Sequence, residues 1–261
     1  MKRQLLIILS LFVFSYAQAA NDRAFIWQVS SDNSVVYLTG SIHFADKSFY
    51  PLRQEIEDAF DRSKYLVVEL DINNMDNDAY NQLVSQKGTY KNGKTIKDAL
   101  SEETWLLLRQ RLHHLDVDYD AVKNLKPGIL VLTLSAIHAM KMGLDPQLGI
   151  DIHFLQKAIS QTGKEVIELE TLEQHIILFL YMPDADLLLK ESLYSLDEAE
   201  LLMADMVSYW KQGDESQMNK LLFEDAIDQY PAFTEIYDRL FYERNRRMTS
   251  KIEVMLKQKT A

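Results

Sequence analysis

The stretch ILVLTLSAIHAMKMG, residues 129–143, constrains the fold more than any other part of the chain. A helix written with it is apolar on nearly every side, so other elements have to surround it. Lys126-Pro127-Gly128 interrupts the pattern before it and Gly143 ends it, which sets its extent. The run is too short to span a bilayer, which takes about 20 apolar residues. It therefore reads as the central helix of a packed core. Hydrophobic residues are 47% of the 261, enough to build that core in one large domain.

The β signal is confined to short runs. Ala24 to Ser30 and Val35 to Thr39 flank SDNS, a hairpin pattern in which Asp and Asn supply the turn. KYLVVELD and EVIELE are short apolar runs of buried-strand type. Leu52, Ile56, Ala59 and Phe60 fall at helical spacing between the second and third runs, so the start reads β-β-α-β. IKDALSEETWLLLRQRLHHL, IDIHFLQKAISQT and TLEQHIILFLYM predict further helices, and from Ala185 onward the pattern is helical throughout. The expected class is α+β: a mixed central sheet with helices packed around it and a helical C-terminal half.

The first segment, MKRQLLIILSLFVFSYAQAA, has the basic pair Lys2-Arg3, an apolar stretch from Leu5 to Tyr16, and the small-x-small sequence Ala17-Gln18-Ala19. This is the pattern of a secretory signal peptide over residues 1–19, leaving a mature domain at 20–261 that is periplasmic or secreted. No later run is long and apolar enough to hold the mature chain in a membrane. There is no cysteine, so stability cannot come from disulfides, and thiolate ligands and thiol nucleophiles are excluded. A net charge of −11 argues against nucleic acid and anionic membrane surfaces as partners.

Polar residues gather at the ends of the predicted elements. Gly40 and His43 follow the second strand, Glu69 and Asp71 the third, and Glu168 and Glu170 the fourth; Asp151 and His153 open the helix after Gly149. Ligands of open α/β arrangements bind beyond the carboxyl ends of strands, so this set is a candidate site. His43 has the chemistry of a metal ligand or a general base, and Gly40 would let the chain turn at positive φ. Each residue also has a structural alternative: a histidine bonded to backbone under a loop, a solvated strand end, or an acidic residue at a helix start. His113 and His114 read as surface residues, His138 as a core histidine, and His175, near a helix start, as a packing residue or one close to the site. Arg244, Arg246 and Arg247 form a basic cluster that is either a solvated face or, through Arg244 and Asn245, a reach into an acidic site. There is no G-x-S-x-G elbow, phosphate-binding glycine loop, dinucleotide fingerprint or H-E-x-x-H helix.

Four stretches taken together carry a resemblance. YLTGSIHFADKSFYPL, LVVELD, LGIDIHFLQKAISQTGKEVIELETLEQ and FYERNRRM resemble the TraB/PrgY/GumN family, which is related to the Tiki metalloproteases and to the erythromycin esterase and ChaN-like proteins. The resemblance implies a mixed α/β fold and a catalytic set matching His43, Glu69, Arg244 and Asn245. It implies a divalent metal, Mn, Co or Zn, at His43, Glu69, Asp151 and Glu170. The family pattern carries a second GxxH after a C-terminal strand. This sequence has one GxxH, at Gly40 and His43, so the expectation is a domain lacking that strand and its histidine.

The expected function is thus an exported metal-dependent hydrolase of the peptidase type, acting on a peptide or small-molecule substrate. Two alternatives follow from the same resemblance. One is a metal-free hydrolase with His43 as the base. The other is a non-catalytic periplasmic binding module, for example a haem binder with His43 or His153 as axial ligand.

Overall fold

The computed structural model describes residues 25–160 and 164–257. The predicted signal segment lies outside the described residues. Among the described residues there are four strands: β1 (Ile26–Ser30), β2 (Val35–Thr39), β3 (Tyr65–Val68) and β4 (Glu165–Glu168). The helices are α1 (Gln54–Arg62), α2 (Asn77–Lys87), α3 (Glu102–Leu115), α4 (Tyr119–Val122), α5 (Pro127–Lys141), α6 (Ile150–Ser160), α7 (Leu172–Leu180), α8 (Ala185–Gln212), α9 (Glu215–Asn219), α10 (Asp225–Gln229), α11 (Thr234–Tyr237) and α12 (Arg244–Lys257). The fold is α+β with a helical second half, as the periodicities require.

The strands depart from expectation in how they associate. β1 and β2 form an antiparallel hairpin, β3 and β4 a parallel pair, and the two pairs are separate two-stranded sheets rather than one mixed sheet. Both senses of pairing are there, but β2 and β3 do not bond to each other among the described residues. The hairpin turn also differs in detail. Ser31, rather than Asp32 or Asn33, organises it: its backbone N–H donates to Ser34 O at 2.9 Å and its hydroxyl accepts from the N–H groups of Asn33 and Ser34.

The apolar run does become the central helix. Pro127 opens α5 where its missing N–H costs nothing, and Gly143 follows the helix at φ +83°. Ile129, Leu130, Val131 and Leu134 are buried along it. Leu130, Val131 and Leu134 join Leu108, Leu112 and Leu115 of α3, and Leu188, Leu189, Leu193 and Leu196 of α8, in one apolar cluster. Full burial of each such side chain contributes about 1.5–3 kcal/mol. A second cluster lies under the β-rich part: Phe25, Phe49, Leu52, Ile56, Phe60, Ile150, Phe154 and Trp210. The long helix α8 connects them, placing leucines in the first cluster and Trp210 in the second. Trp210 packs on Phe49, with ring centroids 5.8 Å apart, and donates from its indole N–H to Gly40 O at 3.3 Å.

Two helical segments are wound as π-helix, Lys220–Glu224 and Asp238–Glu243, and the second runs directly into α12 at Arg244. At the other end of α12, the Leu256 carbonyl accepts from the hydroxyls of Ser31 and Ser34 at 2.7 and 2.9 Å. The last described helix therefore reaches from the ends of the parallel strands to the tip of the hairpin. No described helix is long and apolar enough to cross a membrane.

Candidate functional site

The loop after β2 is stitched to the segment that opens α6. Ala45 exchanges both backbone hydrogen bonds with Asp145, and Ile150 N–H donates to Ile42 O at 2.9 Å. Asp145 also caps the short turn Pro146–Leu148, accepting from Gln147 N–H at 2.8 Å. Gly149 is needed where these strands of chain touch, since a Cβ on it would lie 2.5 Å from His43 O. Gly40 serves a similar purpose. It is not among the glycines at positive φ; a Cβ on it would stand 3.0 Å from Phe25 Cβ, so close approach rather than backbone freedom selects glycine.

This stitching brings His43 to Asp151. Nδ1 of His43 lies 3.2 Å from Oδ2 of Asp151, and Ser41 Oγ donates to Oδ1 of the same carboxylate at 3.2 Å. Asp151 sits in the first turn of α6, where the helix dipole favours a negative charge. Its side chain is 15% exposed and that of His43 62%, so the carboxylate is sheltered and the imidazole open to solvent. The hydrogen bond to Asp151 raises the His43 pKa above 6.5 against the partial desolvation of the ring by its surroundings; Glu69 raises it further and Arg244 lowers it.

Glu69 and Glu170 converge by a different route. The β3–β4 ladder continues one step past the strands, with Leu169 N–H on Val68 O at 2.8 Å and Glu170 N–H on Glu69 O at 2.9 Å. Arg244, at the start of α12, donates from Nε and Nη2 to Oε2 of Glu170 at 2.8 and 2.6 Å, and from Nη2 to Glu69 at 2.6 Å. His175 joins them, its Nδ1 3.3 Å from Arg244 Nη2 and 3.5 Å from Glu170 Oε2. Burial pushes the Glu170 pKa up, but the Arg244 hydrogen bond and charge outweigh it, and the net direction is down. Burial and Arg244 both lower the pKa of His175, outweighing Glu170. Glu69 and Arg244 act on the charge of His43, so the two groups of residues lie within electrostatic reach of each other.

Other predicted residues lie elsewhere. β3 ends at Val68, and Asp71 turns away to accept from Asn73 and Asn74, while Glu168 accepts from Asp71 N–H at 2.8 Å. His153 points to α1, with Nε2 2.8 Å from Glu57 Oε1, and its ring packs against Tyr50 and Phe154. It is thus directed away from Asp151, since two positions two apart on a helix diverge by about 200°. Asn245 follows Arg244 on α12 but is exposed. His113 and His114 are exposed on α3, and His138 is buried in α5. His175, read from sequence as a packing residue or one close to the site, stands at the site beside Arg244 and Glu170. The signal was there: the Thr171–Gln174 capping box fixes the helix start, so a histidine next to Gln174 sits just beyond the Glu170 strand end.

The four residues expected to bind a metal do not gather as one ligand set. His43 and Asp151 meet, but Glu170 is committed to Arg244, whose guanidinium already supplies the positive charge between Glu69 and Glu170. Among the described residues, no three His, Cys, Asp or Glu side chains form a group able to hold a metal ion.

The model of the TraB/PrgY/gumN family matches residues 25–261. The chain is 27% identical over 224 residues to the uncharacterized protein YbaP of Escherichia coli (strain K12), covering 85% of this chain and 79% of the relative. It is also 27% identical over 220 residues to the uncharacterized protein YbaP of Shigella flexneri, covering 84% and 78%. No solved structure matches.

Proposed function

The chain belongs to the TraB/PrgY/gumN family, and from that premise we propose that it is an exported hydrolase that uses His43, Asp151 and Arg244 on an ester or amide carbonyl. The observation that carries the reading is the His43–Asp151 contact of 3.2 Å, with an open imidazole and a sheltered carboxylate. Asp151 accepts the Nδ1–H of His43 and fixes its tautomer, leaving Nε2 as a base. Nε2 takes a proton from water as the water oxygen bonds to the substrate carbonyl carbon. The tetrahedral intermediate then collapses, breaking the bond to the leaving alcohol or amine, which receives the proton from Nε2. Arg244, held in place by Glu69 and Glu170, supplies positive charge toward the oxyanion. The substrate is a peptide or a small molecule.

A second reading is metal-dependent hydrolysis with Mn, Co or Zn. What favours it is the pairing of a nitrogen and an oxygen donor at His43 and Asp151, with Glu69 near enough to act on the imidazole. A metal there would supply Lewis-acid chemistry.

The test is hydrolysis of a peptide library and a panel of chromogenic esters by the wild type, His43→Ala and Asp151→Asn, with and without EDTA. Turnover that survives chelation and falls at least about a hundredfold in His43→Ala is expected, on the scale of general-base catalysis. Turnover lost to EDTA and restored by Mn, Co or Zn selects the metal-dependent reading. Wild type inactive on the whole panel, or His43→Ala as active as wild type, overturns both.

A further inference from the structure

The hydrolytic reading leaves His175 without a task, yet the residue is held with some precision. Its helix is fixed at both ends. At the start, Thr171 and Gln174 cap each other, with Gln174 N–H on Thr171 Oγ1 at 3.2 Å and Thr171 N–H on Gln174 Oε1 at 3.0 Å. Near the far end, the backbone of Phe179 lies so close to Gly128 of α5 that a Cβ there would clash with it. Lys87 ties α7 to α2 through Glu173 at 2.7 Å. The imidazole leans on the Phe179 ring, with centroids 5.9 Å apart.

What this fixed ring faces is a guanidinium. A guanidinium donates and never accepts, so in the 3.3 Å contact Nδ1 of His175 is the acceptor, which puts the proton of the neutral ring on Nε2; a ring carrying it on Nδ1 would instead donate to Glu170 Oε2, 3.5 Å away. The two Nη2 protons of Arg244 serve Glu69 and Glu170 at 2.6 Å, with His175 Nδ1 sharing one of them at 3.3 Å, and Nε meets Glu170. Among the described residues, Nη1 is the Arg244 nitrogen that makes no hydrogen bond. The π-helical turn Asp238–Glu243 ends just before this residue, and such turns are frequent at functional sites.

We propose that His175 is a positioning residue that acts through Arg244: together with Glu69 and Glu170 it fixes the guanidinium plane and leaves Nη1 as the free donor. Two carboxylates alone would hold the charge but allow the plane to rock; a third contact from a different element removes that freedom. The catalytic consequence rests on the hydrolase reading, whereas the clamp itself does not.

The experiment therefore has a substrate-free arm. In 15N-labelled full-length protein, the Arg244 Nη protons, assigned by their loss in Arg244→Lys, are expected to be resolved because rotation about Nε–Cζ is restricted. His175→Phe keeps an aromatic ring and removes the acceptor, and should average them. His175→Asn offers an amide oxygen in place of Nδ1 and should restore them. In the hydrolysis assay, His175→Phe should lower kcat about tenfold at unchanged KM, with His175→Asn closer to wild type. Arg244 signals unchanged in His175→Phe, or His175→Asn no better than His175→Phe, overturns the proposal. If the signals respond as expected while wild type hydrolyses nothing, the clamp stands and the hydrolase reading falls.

Discussion

Arg244 places two of its nitrogens on a single oxygen of Glu170, at 2.8 and 2.6 Å, across 74 positions of sequence. The side chains are 12% and 6% exposed, so this is a sheltered ion pair. It fastens α12 to the end of β4. Removing one partner leaves the other charge buried, which costs about 3–5 kcal/mol. Arg244→Ala should therefore destabilise the protein by about that much in urea unfolding, and Glu170→Gln, which keeps an acceptor, by less. A midpoint for Arg244→Ala equal to wild type would show that the pair holds nothing together.

The same pair gives a pH dependence of stability. Glu170 titrates below its ordinary value of 4.5 in the folded protein, because the Arg244 interactions outweigh its burial. Its contribution is thus full above the unfolded-state value and is lost as pH falls through the lower folded one. The stability gap between wild type and Glu170→Gln should be widest near neutral pH and narrow steadily below about pH 4. Urea titrations at several pH values check this, and a gap that widens on acidification contradicts it.

His43 has the opposite sign. Asp151 raises its folded pKa above 6.5, so the stabilising contact is complete below the unfolded value and fades as pH rises through the folded one. NMR titration should give a His43 pKa above 6.5 in wild type and a lower one in Asp151→Asn. If His43 is the base, the rising limb of the pH–activity profile should move to lower pH in Asp151→Asn, with a reduced plateau. A limb that stays in place would separate Asp151 from the working histidine.

Gly149→Ala puts a methyl group 2.5 Å from His43 O, against backbone rather than a movable side chain. Overpacking of this kind costs about 1–3 kcal/mol. The loop has to shift, so the His43 pKa should also fall toward 6.5 as its contact with Asp151 loosens. Thermal unfolding and the NMR titration read the two effects separately; a stable variant with an unshifted His43 would show that the loop is not set by this contact.

Glu191 lies inside α8 at 7% exposure and accepts from Ser192, Ser195 and Tyr237. Burial raises its pKa against these hydrogen bonds, so folding weakens as pH rises from the unfolded carboxyl value through the folded one. Glu191→Gln keeps an acceptor without the charge. It should raise Tm at pH 8 and change it little at pH 4, and a loss of stability at pH 8 would place a needed charge there.

The class of fold was legible because it rests on local periodicity. An all-apolar run bounded by Pro127 and Gly143 has to be a buried helix wherever it sits, and Val-rich runs of four or five residues have to be strands. The candidate positions His43, Glu69, Asp151, Glu170 and Arg244 were legible because they stand at element ends. Their partners were not. Asp151 went to His43 because the Ala45–Asp145 exchange and Gly149 bring two distant loops into contact. Glu170 went to Arg244 because the β3–β4 ladder ends where α12 begins. For the same reason no local pattern could separate the two sheets or show that Gly40 is needed for closeness rather than φ. Periodicity reports which face of an element is apolar, whereas the choice among several carboxylates for one guanidinium is made by long-range packing that fixes distances of a few tenths of an ångström.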